Sequence, residues 1–359
     1  MRGGIAAMGG FNEVTRYVGN QYQLFGIRDM TLNSGREKGV RIFAVKNGSG
    51  LEFEVVADKA LDIADFRYKG AGCCYLSNPG IVNPQYYVED GRDGFDRNFS
   101  GGMLVTCGYT HMGAPSVDNG RKLGLHGPLP ATPAEEVSAR VEYREGDPEV
   151  VILGRMRQAQ LSAEHIMSER RITCKYMENK IVIDDRVCNV GFETQPLMML
   201  YHFNFGYPLL SPHARLVIPE KSYAPRDAVT EAGSENRLRF EPPGDGRKEE
   251  CHFYEFFSEP NGATAALVKN EMLGFSVLLR FNVKQLAYIT EWKSMTSGDY
   301  ALGINPGTYT PMGRVHAKEH NLLQYIEPGE TCPFRFELEI LETEAAVSQA
   351  EQYIASLKH

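Results

Sequence analysis

The sequence predicts an all-β protein, a large antiparallel β-sandwich with few short helices. Along most of the 359 residues, short runs alternate apolar and polar side chains with the period of two that is typical of strands. Turn residues suited to hairpins separate some of these runs, as at residues 47–50 (NGSG) and 177–179 (MEN). Only residues 343–358 have a clean helical period. Many strands and one helix favour a sandwich.

The predicted strands follow one another from residue 40 onward. They are residues 40–45, 51–56, 65–68, a strand within 97–108, 137–143, 150–156, 163–170, 171–176, 180–188, 197–205, 214–218, 253–257, 263–268, 274–281, 287–292 and 334–341. Residues 75–100 are rich in Pro, Gly, Asn and Asp with interleaved aromatic residues, which is typical of a functional loop. Residues 224–251, charged and rich in Gly and Pro, are predicted as a loop excursion.

Two segments make up the predicted domain organisation. Residues 1–38 form an N-terminal leader and cap segment, with a short helix or irregular cap over residues 15–29. The first ten residues carry one positive charge but no sustained apolar core, so they indicate a ragged leader rather than a signal peptide. Residues 39–359 form a single sandwich domain that ends in the C-terminal helix.

Composition excludes several function classes. The net charge of −8 and the pI near 5.7 argue against nucleic acid as the main partner. No apolar run approaches the roughly 20 residues that span a bilayer, so no membrane partner is expected. The seven cysteines form no CxxC pair, and Cys73 and Cys74 are adjacent, which suits neither disulfides nor zinc. We therefore expect reduced, mostly packed thiols in a cytoplasmic protein.

His202 lies in the strand on which the site prediction is centred. His202, Asn204 and Gly206 alternate with the aromatic residues 201, 203 and 205, so the histidine and the asparagine share one face of the strand. Buried polar groups are costly without partners. Two interpretations stay open: a polar face that binds a ligand, or a core histidine satisfied by a neighbouring carbonyl.

Two further polar motifs accompany this strand. His126 lies in the motif Gly-Leu-His-Gly-Pro (124–128), whose glycines allow a ligand to approach the backbone closely. Trp292, the only tryptophan, follows Glu291 in the run 288–314. A lone aromatic ring near acids and histidines suits a carbohydrate site, and plain core packing is the alternative interpretation for Trp292.

The motifs, taken in order, resemble the aldose 1-epimerase (galactose mutarotase-like) superfamily, and the chain looks closest to an uncharacterised epimerase-like branch of it. The matching stretches are FSGGMLVTCG (99–108), LHGP (125–128), YHFNFG (201–206), YALGINPG (300–307) and EPGE (327–330). They cover about residues 40–342 in the family's order. The resemblance implies a β-supersandwich that opens the ring of a free sugar.

Site roles follow from this resemblance. A histidine that acts as general acid on the ring oxygen matches His202, and a second histidine that holds the sugar matches His126. Arg97 lies where a sugar-binding arginine is expected. Asn204 and Trp292 are further candidates for sugar binding. Histidine suits the proton transfer because its reference pKa of about 6.5 lets it hold and release a proton near neutrality.

The chain departs from the family at the position of the general base. Related sequences carry a glutamate where this chain has Asn305, in Gly303-Ile-Asn-Pro306, and an amide takes up no proton in this range. Glu291 is the leading substitute, because its strand is expected to neighbour that of Asn305. Asp299 is a turn residue in this interpretation. Arg314 is either a ligand of a hydroxyl or phosphate group or a surface arginine.

Three functions remain open. The first is an isomerase that interconverts the anomers of an aldose or sugar derivative with His202, His126 and Glu291 as catalytic residues. The second is a non-catalytic sugar-binding protein, which Asn305 favours. The third, a glycoside hydrolase or lyase, needs two carboxylates about 5 to 9.5 Å apart for hydrolysis. We expect a small carbohydrate partner, free or phosphorylated, no cofactor and no metal, because no HxH or HExxH spacing occurs. A homodimer is an open alternative to a monomer.

Overall fold

Two antiparallel β-sheets face each other and enclose most of the apolar side chains. The structure, a computed structural model, describes residues 10–143 and 147–358. Tyr201 and Phe203 of one sheet pack on Phe334 and Phe336 of the other, with ring centroids 4.4 to 5.7 Å apart. The prediction of an all-β antiparallel sandwich with few short helices is confirmed.

The elements are numbered here in chain order. The strands are β1 (Gly26–Thr31), β2 (Arg41–Lys46), β3 (Leu51–Val56), β4 (Asp62–Tyr68), β5 (Ala71–Gly72), β6 (Leu104–Tyr109), β7 (Ser116–Asp118), β8 (Arg121–Leu123), β9 (Glu135–Glu142), β10 (Glu149–Ala159), β11 (His165–Lys175), β12 (Lys180–Asn189), β13 (Gln195–Gly206), β14 (Ala214–Val217), β15 (Glu220–Pro225), β16 (Glu250–Phe256), β17 (Ala263–Asn270), β18 (Ser276–Asn282), β19 (Tyr288–Thr296), β20 (Asp299–Gly307), β21 (Gln324–Ile326) and β22 (Thr331–Leu341). The helices are α1 (Phe11–Val14), α2 (Asp93–Asp96), α3 (Ala228–Gly233), α4 (Arg314–Glu319) and α5 (Glu344–Ser356).

The larger sheet has 12 strands and the smaller has 8. The main path of the larger sheet runs β1-β2-β3-β4-β6-β13-β20-β19-β16-β15, with β5 beside β4 and β21 beside β13. The smaller sheet runs β14-β17-β18-β22-β12-β11-β10-β9, and β7 and β8 form a separate hairpin. Strands distant in sequence therefore meet in the middle of the larger sheet, where β13, β20, β19 and β16 are consecutive neighbours.

Three local predictions differ from the structure. A strand, β1, starts at Gly26 within the segment that was expected to be a helix or irregular cap, and it pairs with β2 as part of the larger sheet. Residues 163–170 and 171–176 form one continuous strand, β11. The excursion 224–251 contains the end of β15, helix α3 and the start of β16. Most of the predicted leader, residues 1–9, lies outside the described residues.

A buried ionic network ties the two sheets together. Arg170 of β11, which is 0% exposed, donates to both carboxylate oxygens of Asp185 at 2.8 and 2.6 Å and to Asp62 of β4 at 2.8 Å. Thr106 donates to Asp62 at 2.6 Å, and Tyr201 donates to Asp185 at 2.8 Å. Buried charges are tolerated when they are paired and hydrogen-bonded in this way.

Candidate functional site

A cavity of about 820 Å³ lies on the face of the larger sheet that points away from the smaller sheet. Its floor comes from β13, β20 and β19. The irregular stretch 75–99 covers one side, as expected for a functional loop, and residues 226–251 cover another. The floor residues are His202, Asn305, Thr290, Trp292 and Ser294.

Strand register sets these floor residues side by side. Phe203 of β13 pairs with Ile304 of β20, and Thr290 of β19 pairs with Asn305. Because alternate residues of a strand point to opposite faces, His202, Asn305 and Thr290 form a row across the three strands on the cavity face. His202 therefore lies on the face of β13 that lines the cavity.

Gly303 allows the floor residues to approach one another. A Cβ atom at this position would lie 2.9 Å from the Asn305 amide nitrogen and 3.1 Å from Cε1 of His202. Both separations are shorter than ordinary van der Waals contact, so a side chain here would displace the imidazole or the amide. The absence of a side chain at residue 303 brings His202 and Asn305 together at the bottom of the cavity.

His202 is buried and its Nδ1 has no hydrogen-bond partner within the described part of the chain. Its ring is surrounded by aromatic groups, with centroid distances of 5.5 Å to Phe99, 5.5 Å to Trp292 and 6.0 Å to His126. Burial lowers the pKa of His202 to about 4, while the negative charge of Glu249 acts in the opposite direction. The imidazole is therefore neutral at neutral pH.

His126 also lines the cavity, with its ring 6.0 Å from that of His202. It adopts the left-handed conformation, with φ of 62°, in the turn before Gly127. Its Nδ1 accepts a hydrogen bond from the Gly113 amide at 3.3 Å, so the neutral ring carries its proton on Nε2. Burial lowers the pKa of His126 well below its usual value, and the nearby His202 acts in the same direction.

Two more polar atoms on the floor lack partners. The Oδ1 atom of Asn305 and the Oγ1 atom of Thr290 are buried and have no hydrogen-bond partner among the described residues. A buried polar atom without a partner costs about 1 to 3 kcal/mol. Together with Nδ1 of His202, these atoms form a row of unsatisfied groups at the bottom of a cavity, which is the arrangement that a polar ligand would satisfy.

Trp292 lines the cavity rather than the core between the sheets. Its indole nitrogen donates to Oε2 of Glu249 at 2.8 Å, and its ring lies 6.2 Å from the rings of Tyr75 and Phe99. The hydrogen bond of the indole nitrogen and the contacts with the two neighbouring rings together fix the position of the indole. The interpretation of Trp292 as plain core packing between the sheets is wrong.

Glu291 lies on the opposite face of the sheet from the cavity. It pairs with Ile304, whose neighbour Phe203 packs on Phe336 of the other sheet. Its carboxylate is 0% exposed and accepts a hydrogen bond from Tyr254 at 2.7 Å. Burial raises the pKa of Glu291 to about 7. The expectation that Glu291 lies next to His202 is therefore corrected, because adjacent strand residues such as Glu291 and Trp292 face opposite sides.

Three other predicted binding residues do not line the cavity. Arg97 has a side chain 71% exposed and pairs with Asp93 at 2.9 Å. Arg314 is buried beside the cavity, bound to Asp118 at 2.9 Å and to the Thr110 carbonyl at 3.1 Å. Asn204 is buried, and its amide donates to the carbonyls of Gly102 at 3.1 Å and His202 at 2.8 Å. Arg97 is thus paired at the surface, whereas Arg314 and Asn204 donate to backbone carbonyls beside the cavity.

The charged wall of the cavity was missed by the sequence analysis. It consists of arginines and acids that mostly pair with one another: Arg92, Asp96, Arg226, Asp227, Arg247, Glu249 and Asp299. Four of them lie in the segment 224–251, where a charged and Gly/Pro-rich composition indicated only a loop. The spacing of Glu249 and Cys251, two residues apart at the start of a strand, is the one local signal that both share a face.

Neither a metal cluster nor a membrane span is indicated by the described residues. Within residues 10–143 and 147–358, no group of three or more His, Cys, Asp and Glu side chains is placed to hold a metal ion. Among the described helices, none is long and apolar enough to cross a membrane. The side chains that line the cavity include two imidazoles, paired carboxylates and guanidinium groups, an amide and several aromatic rings.

Comparison with known proteins identifies the fold. The family model described as Domain of unknown function (DUF4432) matches residues 37–340. A protein from Klebsiella pneumoniae, provisionally named aldose 1-epimerase, is 24% identical with a TM-score of 0.88, and the match covers 93% of this chain and 88% of that chain. A galactose mutarotase-like protein from Clostridium acetobutylicum is 13% identical with a TM-score of 0.62, over 89% of this chain and 100% of that chain.

A third solved structure, galactose 1-epimerase from Lactobacillus acidophilus, is 11% identical with a TM-score of 0.56, over 89% of this chain and 100% of that chain. No curated protein matches the chain. At these identities the similarity shows the fold, which is a galactose mutarotase-like β-sandwich, as the resemblance of the motifs predicted.

Proposed function

We propose that this chain, which belongs to the family of unknown function DUF4432, binds the ring of a free or phosphorylated sugar in its cavity and interconverts the two anomers. The observation that carries the proposal is the row of unpartnered polar atoms of His202, Asn305 and Thr290 beside the fixed ring of Trp292. A sugar presents hydroxyl groups to such polar atoms and C–H groups to an aromatic face. Both kinds of contact are available within one cavity.

The chemistry of the proposal is proton transfer. His202 gives a proton to the ring oxygen as the bond between that oxygen and C1 breaks, and the proton of the anomeric hydroxyl leaves to a carboxylate. The product is the open-chain aldehyde. Rotation about the C1–C2 bond and reversal of both proton transfers then give the other anomer. Since the reaction has no net oxidation or reduction, it needs no redox cofactor.

The pKa of His202 gives this proposal a pH dependence. Only the imidazolium form can donate to the ring oxygen, and burial lowers the pKa of His202 to about 4. The fraction of imidazolium therefore rises as the pH falls from about 8 to about 5. We therefore expect the acceleration of anomer exchange, relative to buffer alone, to increase as the pH falls from about 8 to about 5.

A reducing compartment suits the same proposal. All seven cysteines are free thiols, and Cys251 lines the cavity. Free thiols are typical of cytoplasmic proteins, so we place the activity in the cytoplasm.

A specific observation favours a second function, sugar binding without turnover. Asn305 occupies the floor position where a general base is expected, and Glu291 faces away from the cavity. In this alternative the cavity holds a sugar through the same polar row but has no group that removes the anomeric proton.

Anomer exchange separates the two functions. Exchange NMR on a panel of free and phosphorylated aldoses is measured with the wild type, with His202→Ala and with Arg97→Ala as the exposed control. We expect the wild type and Arg97→Ala to accelerate exchange of at least one sugar, and His202→Ala to lose on the order of 10² to 10⁴ of that acceleration. Binding of a sugar without acceleration by the wild type would support the binding protein instead.

A further inference from the structure

We propose that Glu249, the residue immediately before β16, is the carboxylate that takes the proton of the anomeric hydroxyl, whereas Asn305 lies on β20. This inference rests on the proposed function and supplies its missing base. It starts from the strand order of the larger sheet, in which β16 lies beside β19. Cys251 pairs with Trp292, and both Cys251 and Glu249, the residue just before β16, line the cavity.

Contacts place the Glu249 carboxylate beside the same ring that His202 contacts. Oε2 of Glu249 accepts the Trp292 indole hydrogen bond at 2.8 Å, and the His202 ring lies 5.5 Å from the Trp292 ring. Glu249 and His202 both line the cavity. The effect of the Glu249 charge on the pKa of His202 is consistent with this proximity.

The other three cavity carboxylates are already committed to structure. Asp227 caps helix α3 through the amide and hydroxyl of Thr230, both at 2.9 Å. Asp299, the first residue of β20, accepts hydrogen bonds from Tyr75 at 2.5 Å and Asn78 at 3.2 Å. Asp96 pairs with Arg92 at 2.8 Å, and its side chain is 45% exposed. Of the four, Glu249 is the one that accepts a hydrogen bond from Trp292, whose ring lies 5.5 Å from that of His202.

Two guanidinium groups hold Glu249 while leaving room for a substrate. Arg226 donates to Oε1 at 3.4 Å, and Nη1 of Arg92 lies 3.6 Å from the same oxygen. A carboxylate has about four lone-pair sites. An anomeric hydroxyl can therefore donate to Glu249 while the indole and the two arginines keep its orientation. The carboxylate of Glu249 is therefore held in position to accept a proton.

The proton transfers balance with Glu249 as acceptor. The O–H bond of the anomeric hydroxyl breaks and its proton goes to Glu249, while its electron pair forms the C1=O bond. The bond from C1 to the ring oxygen breaks, and that oxygen takes its electron pair and the proton from His202. Closure of the ring returns the first proton from Glu249 and the second to His202.

The test compares two Glu→Gln variants, one at Glu249 just before β16 and one at Glu291 on the neighbouring strand β19. Exchange NMR gives kcat and KM for the sugar that the wild type turns over, and calorimetry gives its Kd, for the wild type, Glu249→Gln and Glu291→Gln. We expect kcat of Glu249→Gln to fall by on the order of 10² to 10⁴ with Kd changed by less than about threefold. Glu291→Gln, whose side chain faces away from the cavity, is expected to keep the wild-type kcat.

Each outcome decides the assignment. Turnover of Glu249→Gln within about threefold of the wild type would overturn the role of Glu249 and leave the proposed function intact. Loss of sugar binding by Glu249→Gln, with its unfolding midpoint unchanged, would make Glu249 a binding residue and also overturn the role as base. A wild type that binds sugars but accelerates no exchange would overturn both this inference and the proposed isomerase.

Discussion

Each face of the larger sheet borders a buried polar cluster, and the two clusters differ in whether their polar atoms have hydrogen-bond partners. On the inner face, Arg170 meets Asp185 and Asp62, and the carboxylates are hydrogen-bonded on both sides. On the cavity face, the polar atoms of His202 and Asn305 are equally buried but have no partners within the described residues. The two clusters meet at β13, which contributes Tyr201 to the inner network and His202 to the cavity floor. The difference indicates that the paired network holds the sheets together, whereas the unpartnered atoms of His202, Asn305 and Thr290 at the cavity are available to a ligand.

Removing the inner guanidinium has the largest expected effect. Arg170→Met leaves two buried carboxylates without their cation, so we expect the free energy of unfolding to fall by about 3 to 5 kcal/mol. Urea unfolding measures this loss. Arg171→Met is the matched control, because that side chain is 34% exposed and its ion pair with Glu149 is long, at 3.4 Å. Equal losses in the two variants would contradict the importance of the inner network.

Glu291, on the inner face, should make stability depend on pH. Burial raises its pKa from 4.5 to about 7, so below pH 4.5 both the folded and the unfolded protein are protonated and folding carries no penalty. As the pH rises from 4.5 to about 7, Glu291 ionises first in the unfolded chain, and we expect the free energy of unfolding to fall by about 3 kcal/mol. Urea unfolding of Glu291→Gln across this range should lack that loss, whereas Glu255→Gln, at an exposed position, should retain it. Parallel pH curves for the wild type and Glu291→Gln would disprove the assignment.

A cavity-face substitution should change stability less than it changes binding. Asn305→Ala removes no hydrogen bond of Oδ1, so we expect the free energy of unfolding to change by less than about 1 kcal/mol while the affinity for the sugar falls. Asn204→Ala is the contrasting variant, because its amide donates to two carbonyls. It should lose stability, by about 1 kcal/mol for each bond. If Asn305→Ala is the less stable of the two, unpartnered atoms do not mark the ligand surface.

Arg97 should have the smallest effect of all. Its side chain is exposed and pairs with Asp93 on the outside of α2, so Arg97→Ala should change stability by less than about 0.5 kcal/mol and leave sugar affinity unchanged. Calorimetry measures the affinity. Arg92→Ala, at a residue that lines the cavity, should weaken binding. A loss of affinity in Arg97→Ala would restore the sugar-binding role that the motif resemblance implied.

The sequence identified the floor of the cavity because motif and strand period agree there. His202 of β13 lies opposite Asn305 of β20, and Asn305 pairs with Thr290 of β19, two residues before Trp292. Alternation along the strands therefore places all of them on one face. The same rule, applied strictly, excludes Glu291, since it adjoins Trp292. The sandwich architecture followed from the same alternation over most of the strands.

The charged wall could not be predicted, because it depends on long-range pairing. Glu249 reaches the cavity only because β16 pairs with β19, forty residues later in the chain, and no local pattern fixes that pairing. Arg92 and Arg97 differ by little more than one helical turn around α2, yet Arg92 lines the cavity and Arg97 is exposed. The direction in which each of these two side chains points is set by how the loop packs on the rest of the protein, and the local sequence does not specify it.

Trp292 offers the most direct test of the central claim, that the cavity binds a sugar beside this ring. It is the only tryptophan of the chain, so the fluorescence produced by selective excitation of tryptophan comes from this residue and reports on the cavity wall. A sugar whose anomers the protein interconverts should change that emission, with half-saturation at the same concentration as for anomer exchange. Saturable exchange of a sugar that leaves the emission of Trp292 unchanged would contradict the assignment of the site.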